Sequence, residues 1–356
     1  MLTSLRAGRG ERVGRDVTQS GRSFTTRRRL GGLLVAVLLL ALTVFASLAL
    51  GSRDVALPVV VEALVDRDPA VNDHVVIWDL RLPRTVIGLL AGLALGLSGG
   101  LMQGLTRNPI ADPGLLGINA GASLAVVVAI TWLGIGTTAG YIWFAFGGAT
   151  LAALLVYGIG SMGGDGATPV KLAIAGSALT AVLTSLITLV LLTNLQTLER
   201  YRFWQVGSLV GRDLDTARTV LLFIAVGTLL ALVSGRVLNA LSLGDDVAHG
   251  LGQHVVRDRA VIMTATVLLC GSATALTGPI VFVGLVVPHA ARWVTGPDYR
   301  WILAYSAVLG AALLIAADVL GRLVAPPGEV EAGLVVAFLG APVLIALVRR
   351  SRLASV

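Results

Sequence analysis

Apolar residues run along this chain in unbroken blocks about twenty residues long, and polar residues collect in short stretches between them. A helix rises 1.5 Å per residue, so about 20 apolar residues cross the hydrocarbon core of a bilayer. The pattern predicts ten spanning helices, at 31–50, 86–105, 115–134, 138–160, 170–193, 217–236, 258–277, 280–296, 301–323 and 330–349. Continuous runs, rather than ten-residue alternating segments, select helices over a barrel. The eighth span is short and shares a Gly-Pro break with the seventh. Pro83, Pro109, Pro113 and Pro288 fall at expected span ends, where a missing backbone donor ends or breaks a helix. The polar stretch Gln103–Gly117 is broken enough to be irregular backbone at membrane depth, which is tolerated only against protein or a water-filled path.

Composition supports lipid as the solvent. Hydrophobic residues make up 56% of the 356, and charged residues only 13%, against about 25% in a soluble domain. The 43 glycines suit close packing of helices that have no hydrophobic drive to associate.

Charge then orients the bundle. Eight arginines in the first 29 residues face only Glu11 and Asp16, which makes a basic cytoplasmic tail the simplest source of the net charge of +7, ahead of nucleic-acid binding. With that tail inside, ten spans put both termini in the cytoplasm, and 18 of the 27 Arg and Lys fall on inner segments. The stretch 51–80, with two Arg against six Asp or Glu, falls outside. Arg27-Arg28-Arg29 before an apolar run also resembles a twin-arginine or secretory signal, so cleavage of the first span stays open. These readings divide the chain into a tail at 1–29, a ten-helix domain at 30–350 and a short tail at 351–356.

The chemistry is mostly exclusion. The only lysine, Lys171, precedes Leu172 and not Ser or Thr, so no Walker A loop is present and no ATP is hydrolysed here by a P-loop. No carboxylate is expected near the middle of a span, which disfavours an ion-coupled carrier; Asp318 lies near an outer end, one turn from Arg322. Gly158-Ile159-Gly160-Ser161-Met162-Gly163 matches a dinucleotide pattern without its βαβ setting. Gly96-Leu97-Ser98-Gly99-Gly100 matches a nucleophile motif, with His289 as a conceivable base for an intramembrane serine protease. Gly92, Gly96, Gly100 and Gly104 recur every fourth residue, however, and a packing face accounts for the match. Asp245, Asp246 and His249 read as a solvated helix face; no metal site and no cofactor are expected. Cys270 stands alone and excludes an intrachain disulfide.

Several motifs in fixed order carry a resemblance. They are Arg81-Leu82-Pro83-Arg84; Ser98-Gly99 and Gln103; Arg107-Asn108-Pro109-Ile110-Ala111-Asp112-Pro113 with Gly117; Leu238-Asn239-Ala240-Leu241-Ser242-Leu243-Gly244; Gly278-Pro279-Ile280-Val281-Phe282-Val283-Gly284 through Pro288-His289 and Arg292; and Ala317-Asp318, Arg322, Glu329, Gly333 and Gly340-Ala341-Pro342. Together they resemble the FecCD family of permeases of binding-protein-dependent ABC importers. The likeness covers nearly everything after the first span.

The resemblance implies an all-α integral membrane bundle of about ten helices, of the cobalamin-permease, type II importer kind. It implies a non-enzymatic permease subunit in the inner membrane of a bacterium, moving an iron-siderophore or, by the same machinery, haem or cobalamin. It further implies a second permease subunit (identical or paralogous), two cytoplasmic ATP-binding subunits and an extracytoplasmic binding protein. By position, Arg81, Arg84 and Arg322 resemble arginines that dock the binding protein. The loop 238–257 resembles the one that couples to the ATPase, through Leu241, Gly244, Asp245, Ala248, Leu251 and Gly252. Gln103, Asn108 and Asn119 are candidates for the path or its gate. On this reading Arg84→Glu weakens docking and leaves insertion intact. The chain departs from the family at Glu331, where Glu-x-Pro-x-Gly has proline.

Overall fold

The structure, a computed structural model, describes residues 26–51, 55–163, 168–326 and 328–353. Most of the basic tail (1–25) and the last three residues lie outside the described residues. The described chain is helical throughout: α1 (Thr26–Ala49), α2 (Leu57–Val65), α3 (Asn72–Val75), α4 (Leu82–Thr106), α5 (Ile118–Trp132), α6 (Thr138–Gly160), α7 (Pro169–Thr193) and α8 (Leu195–Gln205). Then come α9 (Leu214–Val233), α10 (Gly235–Leu241), α11 (Asp245–Gly250), α12 (Val255–Thr277), α13 (Val283–Thr295), α14 (Tyr299–Val324) and α15 (Ala332–Leu353). A π-helical stretch at Val76–Arg81 joins α3 to α4, and a 3₁₀ turn at Pro113–Leu116 precedes α5.

The expected ten spans are met only in part. Among the described residues, seven helices are long and apolar enough to cross a membrane, while Ile118–Trp132 and Ala332–Leu347 are shorter apolar stretches. Of the expected spans, α5 and α13 (15 and 13 residues) are short for a physical reason: the chain enters each through irregular backbone. At α5 the missing part is the stretch 107–117, which turns back into the bundle. Leu115 O fills the place of a Cβ on Gly176 of α7, and Pro113 Cδ lies 3.2 Å from where a Cβ on Gly284 of α13 would stand. That position on Gly284 is also 3.2 Å from Gly99 Cα, seven residues or about 10 Å up α4 from its end. At α13 the missing part is Gly278–Phe282, pinned by Trp204 O against Gly278 and ending at Phe282 with φ 71°.

These two breaks are related. Pro109-Ile110-x-x-x-Gly114-Leu115 and Pro279-Ile280-x-x-x-Gly284-Leu285 share one spacing. Each joins a long helix to a short one, with 25 and 15 residues for α4 and α5 and 23 and 13 for α12 and α13. The C-terminal end of α4 meets the N-terminal end of α12, so the two units run in opposite directions, as in an inverted repeat.

Helix α4 is the axis of the bundle, buried along most of its length against α12, α13 and α14. Its glycine face makes that possible. A Cβ on Gly92 would meet the Gly310 carbonyl and Ala311 Cα, one on Gly96 the Ser306 carbonyl, and one on Gly99 the Gly284 backbone. Bare backbones therefore touch where lipid gives no drive for larger side chains to pack. Ser98 is fully buried and donates to Leu95 O at 3.1 Å, an arrangement of packing rather than of an activated nucleophile.

Pro288 does not end a span, contrary to expectation; it lies inside α13. It removes the donor that would serve Gly284 O, four residues back. Gln103 Nε2 takes that donor's place, bonding Gly284 O and Leu285 O at 3.2 Å each.

Candidate functional site

Most of the candidate side chains gather at the two ends of the bundle. At one end, α1 finishes and α4 begins. The last carbonyls of α1 have no partner within their own helix, and two arginines supply it. Arg81 Nη1 donates to Leu48 O and Ala49 O at 2.7 and 2.6 Å. Arg322 donates to Ser47 O at 2.8 Å and Leu50 O at 3.2 Å. Cations at a helix C-terminus also oppose its dipole. Beside them Arg84 Nε donates to Asp318 Oδ1 at 2.9 Å and Nη1 to Glu329 Oε2 at 2.6 Å. Arg322 holds the other oxygen of Asp318 at 2.5 Å. Asp318 thus sits between two guanidiniums, 1% exposed.

The structure brings Arg81, Arg84 and Arg322 together and gives each an internal partner. They are only 5, 9 and 3% exposed. All three line one cavity of about 560 Å³, shared with Arg212, Asp213 and Glu329. Asp213 caps α9 through Thr216 N at 2.7 Å, and hydrogen bonding to Thr216 draws its carboxyl below the ordinary range. Arg84→Glu would put a third carboxylate beside Asp318 and Glu329, so a stability loss accompanies any docking defect and that variant no longer isolates docking. Glu331 lies where the family has proline; its carbonyl accepts from Leu334 N and Val335 N at 3.0 and 3.2 Å and so starts α15.

At the other end, α10 and α11 form the loop between α9 and α12. Leu241 and Ala248 are buried in the bundle, while Leu243, Val247 and Leu251 are 64, 48 and 59% exposed. Gly244 (φ 114°) and Gly252 (φ 82°) flank α11, and a Cβ on either would meet nothing within 4 Å. Asp245 pairs with Arg107 and Arg259. His249 Nδ1 lies 2.9 Å from Asp245 O, which ties it to its own helix.

The path candidates separate. Gln103 is 1% exposed, and Arg292 Nη1 bonds its Oε1 at 2.5 Å; it struts α4 to α13 beside a cavity of about 270 Å³. Asn108 is exposed at the start of the re-entrant stretch and accepts from Ile110 N at 3.1 Å. Asn119 is partly buried within the bundle, its Oδ1 accepting from Thr274 Oγ1 of α12 at 3.1 Å. Asp112, missed as a mid-bundle carboxylate because it falls between the expected spans 86–105 and 115–134, caps the 3₁₀ turn through Gly114 N at 2.8 Å. The repeated Pro-Ile spacing was the sequence signal that could have placed it.

Comparison with known proteins gives one consistent result. The chain matches the FecCD transport family over residues 39–350. It is 47% identical over 314 residues to the ferric enterobactin transport system permease protein FepD of Escherichia coli (strain K12), covering 88% of this chain and 93% of that one. It is 40% identical over 330 residues to the iron(3+)-hydroxamate import system permease protein FhuB of Bacillus subtilis (strain 168), covering 92% and 86%. A solved structure described as an inward-facing metal-chelate type ABC transporter shares the fold, with TM-score 0.78, 24% identity, and 90% and 99% of the two chains covered.

Proposed function

The chain belongs to the FecCD transport family, and from that premise we propose that it is the permease subunit of an ABC importer carrying an iron-siderophore or related iron chelate across the cytoplasmic membrane. Relatives named for ferric enterobactin and iron(3+)-hydroxamate import support that substrate class. The observation that carries the reading is α11 and its flanks, where Leu243, Val247 and Leu251 are exposed among charged residues and Gly244 and Gly252 stand in open space at either end of the helix. Such a surface suits a soluble partner, here the ATP-binding subunit that this chain, without a P-loop, must borrow.

The remaining parts follow. Adding α5, α13 and α15 to the seven long helices makes ten crossings, with the two breaks completing the short ones. Both termini and the 238–257 loop are then cytoplasmic, and the 560 Å³ cavity faces outward. A second permease subunit covers the exposed face of α7, and the path between the two passes Asn119 and the re-entrant stretch at Asn108, with Gln103 bracing the inner gate. Binding-protein carboxylates dock on Arg81, Arg84 and Arg322, displacing Glu329 from Arg84.

Two measurements test this. Deletion of 245–252, with insertion verified, is expected to abolish uptake of an iron-loaded siderophore; retained uptake sinks the coupling-loop assignment. Failure of the unmodified protein to take up an iron-loaded siderophore redirects the substrate to haem or cobalamin. Separately, Glu329→Gln frees Arg84 of an internal competitor and is expected to tighten binding-protein docking several-fold in a titration of the reconstituted complex. Weaker docking in that variant would remove Arg84 from the docking set.

A further inference from the structure

Asp245 opens α11 with its carboxylate held from two sides. Arg107 Nη2 pairs with Oδ1, and Arg259 Nη2 bonds the two oxygens at 3.1 and 2.9 Å. Arg107 also donates Nε to Leu241 O at 2.7 Å, so one guanidinium grips the end of α10 and the start of α11 together. Arg107 occupies the left-handed C-cap of α4, at φ 52°, and is the residue from which the re-entrant stretch departs. Arg259 lies on α12 and is mostly buried. Gly244 and Gly252 lie at positive φ with no side-chain packing at either end, so α11 is positioned mainly by these ion pairs and by buried Ala248.

We infer that the Asp245–Arg107 pair is a latch through which movement of α11 is passed to the re-entrant stretch 107–117, with Arg259 the fixed anchor on α12. This rests on the coupling-loop reading and adds the route by which the loop reaches the path. An ion pair this exposed contributes little to stability, so its effect is geometric. Between Arg107 and the 3₁₀ turn lie only five residues, and Pro109 and Pro113 stiffen the approach. A pull on Arg107 therefore moves the turn that packs against Gly176 of α7 and Gly284 of α13. Coupling needs such a contiguous element with two arrangements, biased from both of its ends.

The test uses the full importer in liposomes, comparing Arg107→Gln and Arg107→Lys. Each also carries Ile110→Cys as a maleimide target, since Ile110 is exposed and the native Cys270 is buried. In Arg107→Gln the ATPase is expected to stay bound and to hydrolyse ATP, while iron-chelate uptake falls about ten-fold or more. The ATP-dependent change in labelling at position 110 is expected to disappear. Arg107→Lys keeps the charge and is expected to restore most of both. Normal uptake with normal labelling changes in Arg107→Gln overturns the latch, and so does loss of ATPase binding, which would make Arg107 a docking contact. The coupling-loop reading fails on a different result: the 245–252 deletion leaving the ATPase bound and uptake intact.

Discussion

Gly99→Val is expected to leave the protein without its native bundle. The new Cβ would overlap the Gly284 carbonyl and Cα, and both partners are helix backbone that no rotamer change can move aside. Overpacking that side chains can absorb costs about 1–3 kcal/mol; here α4 and α13 must separate, so the cost lies beyond that range. The separation would also break the Gln103 bonds that serve the carbonyl freed by Pro288. Gly158→Val is the control, since nothing lies within 4 Å of a Cβ there and valine is no worse than glycine in a helix. Size-exclusion profiles and thermal melts in detergent read both. A monodisperse Gly99→Val protein melting with the wild type would show that α4 and α13 are not in backbone contact.

Asp318→Asn is the second large effect. The carboxylate lies between Arg84 and Arg322, and its neutralisation leaves two buried guanidiniums facing each other with one exposed-side partner, Glu329. Removing one member of a buried ion network costs about 3–5 kcal/mol. Because Arg322 also caps α1 through Ser47 O and Leu50 O, the loss is expected to loosen α1 from α14. The signature is a lowered melting temperature together with faster protease cleavage near residue 50. An unchanged melt would mean that solvent reaches these arginines and that the network is an open surface pairing.

The arginine network shows why position and role are legible to different degrees. The order Arg81-x-x-Arg84 and Asp318-x-x-x-Arg322 is plain in the sequence, and helical spacing alone pairs Asp318 with Arg322. That Arg81 and Arg322 hold the end of α1 is not, because those partners are backbone carbonyls more than thirty residues away in sequence. Backbone acceptors carry no residue signature. The ion-pair role was therefore within reach, and the capping role was not.

By itself the sequence determined the solvent and the class of fold: long apolar runs, few charges and frequent glycine admit only a helical bundle in lipid. It also determined what powers transport only by exclusion, since one lysine in the wrong setting removes a P-loop. Tertiary structure alone decided which apolar runs form long helices and which form short ones entered through irregular chain. Hydropathy measures transfer to an apolar medium and does not distinguish lipid from the inside of a bundle. The broken, polar stretch 107–117 was legible as irregular backbone, but not the glycine surfaces of α7 and α13 against which it packs. Pro288 misled for the same reason: proline breaks a helix only when nothing replaces its missing hydrogen bond, and Gln103, 185 residues earlier in the chain, replaces it.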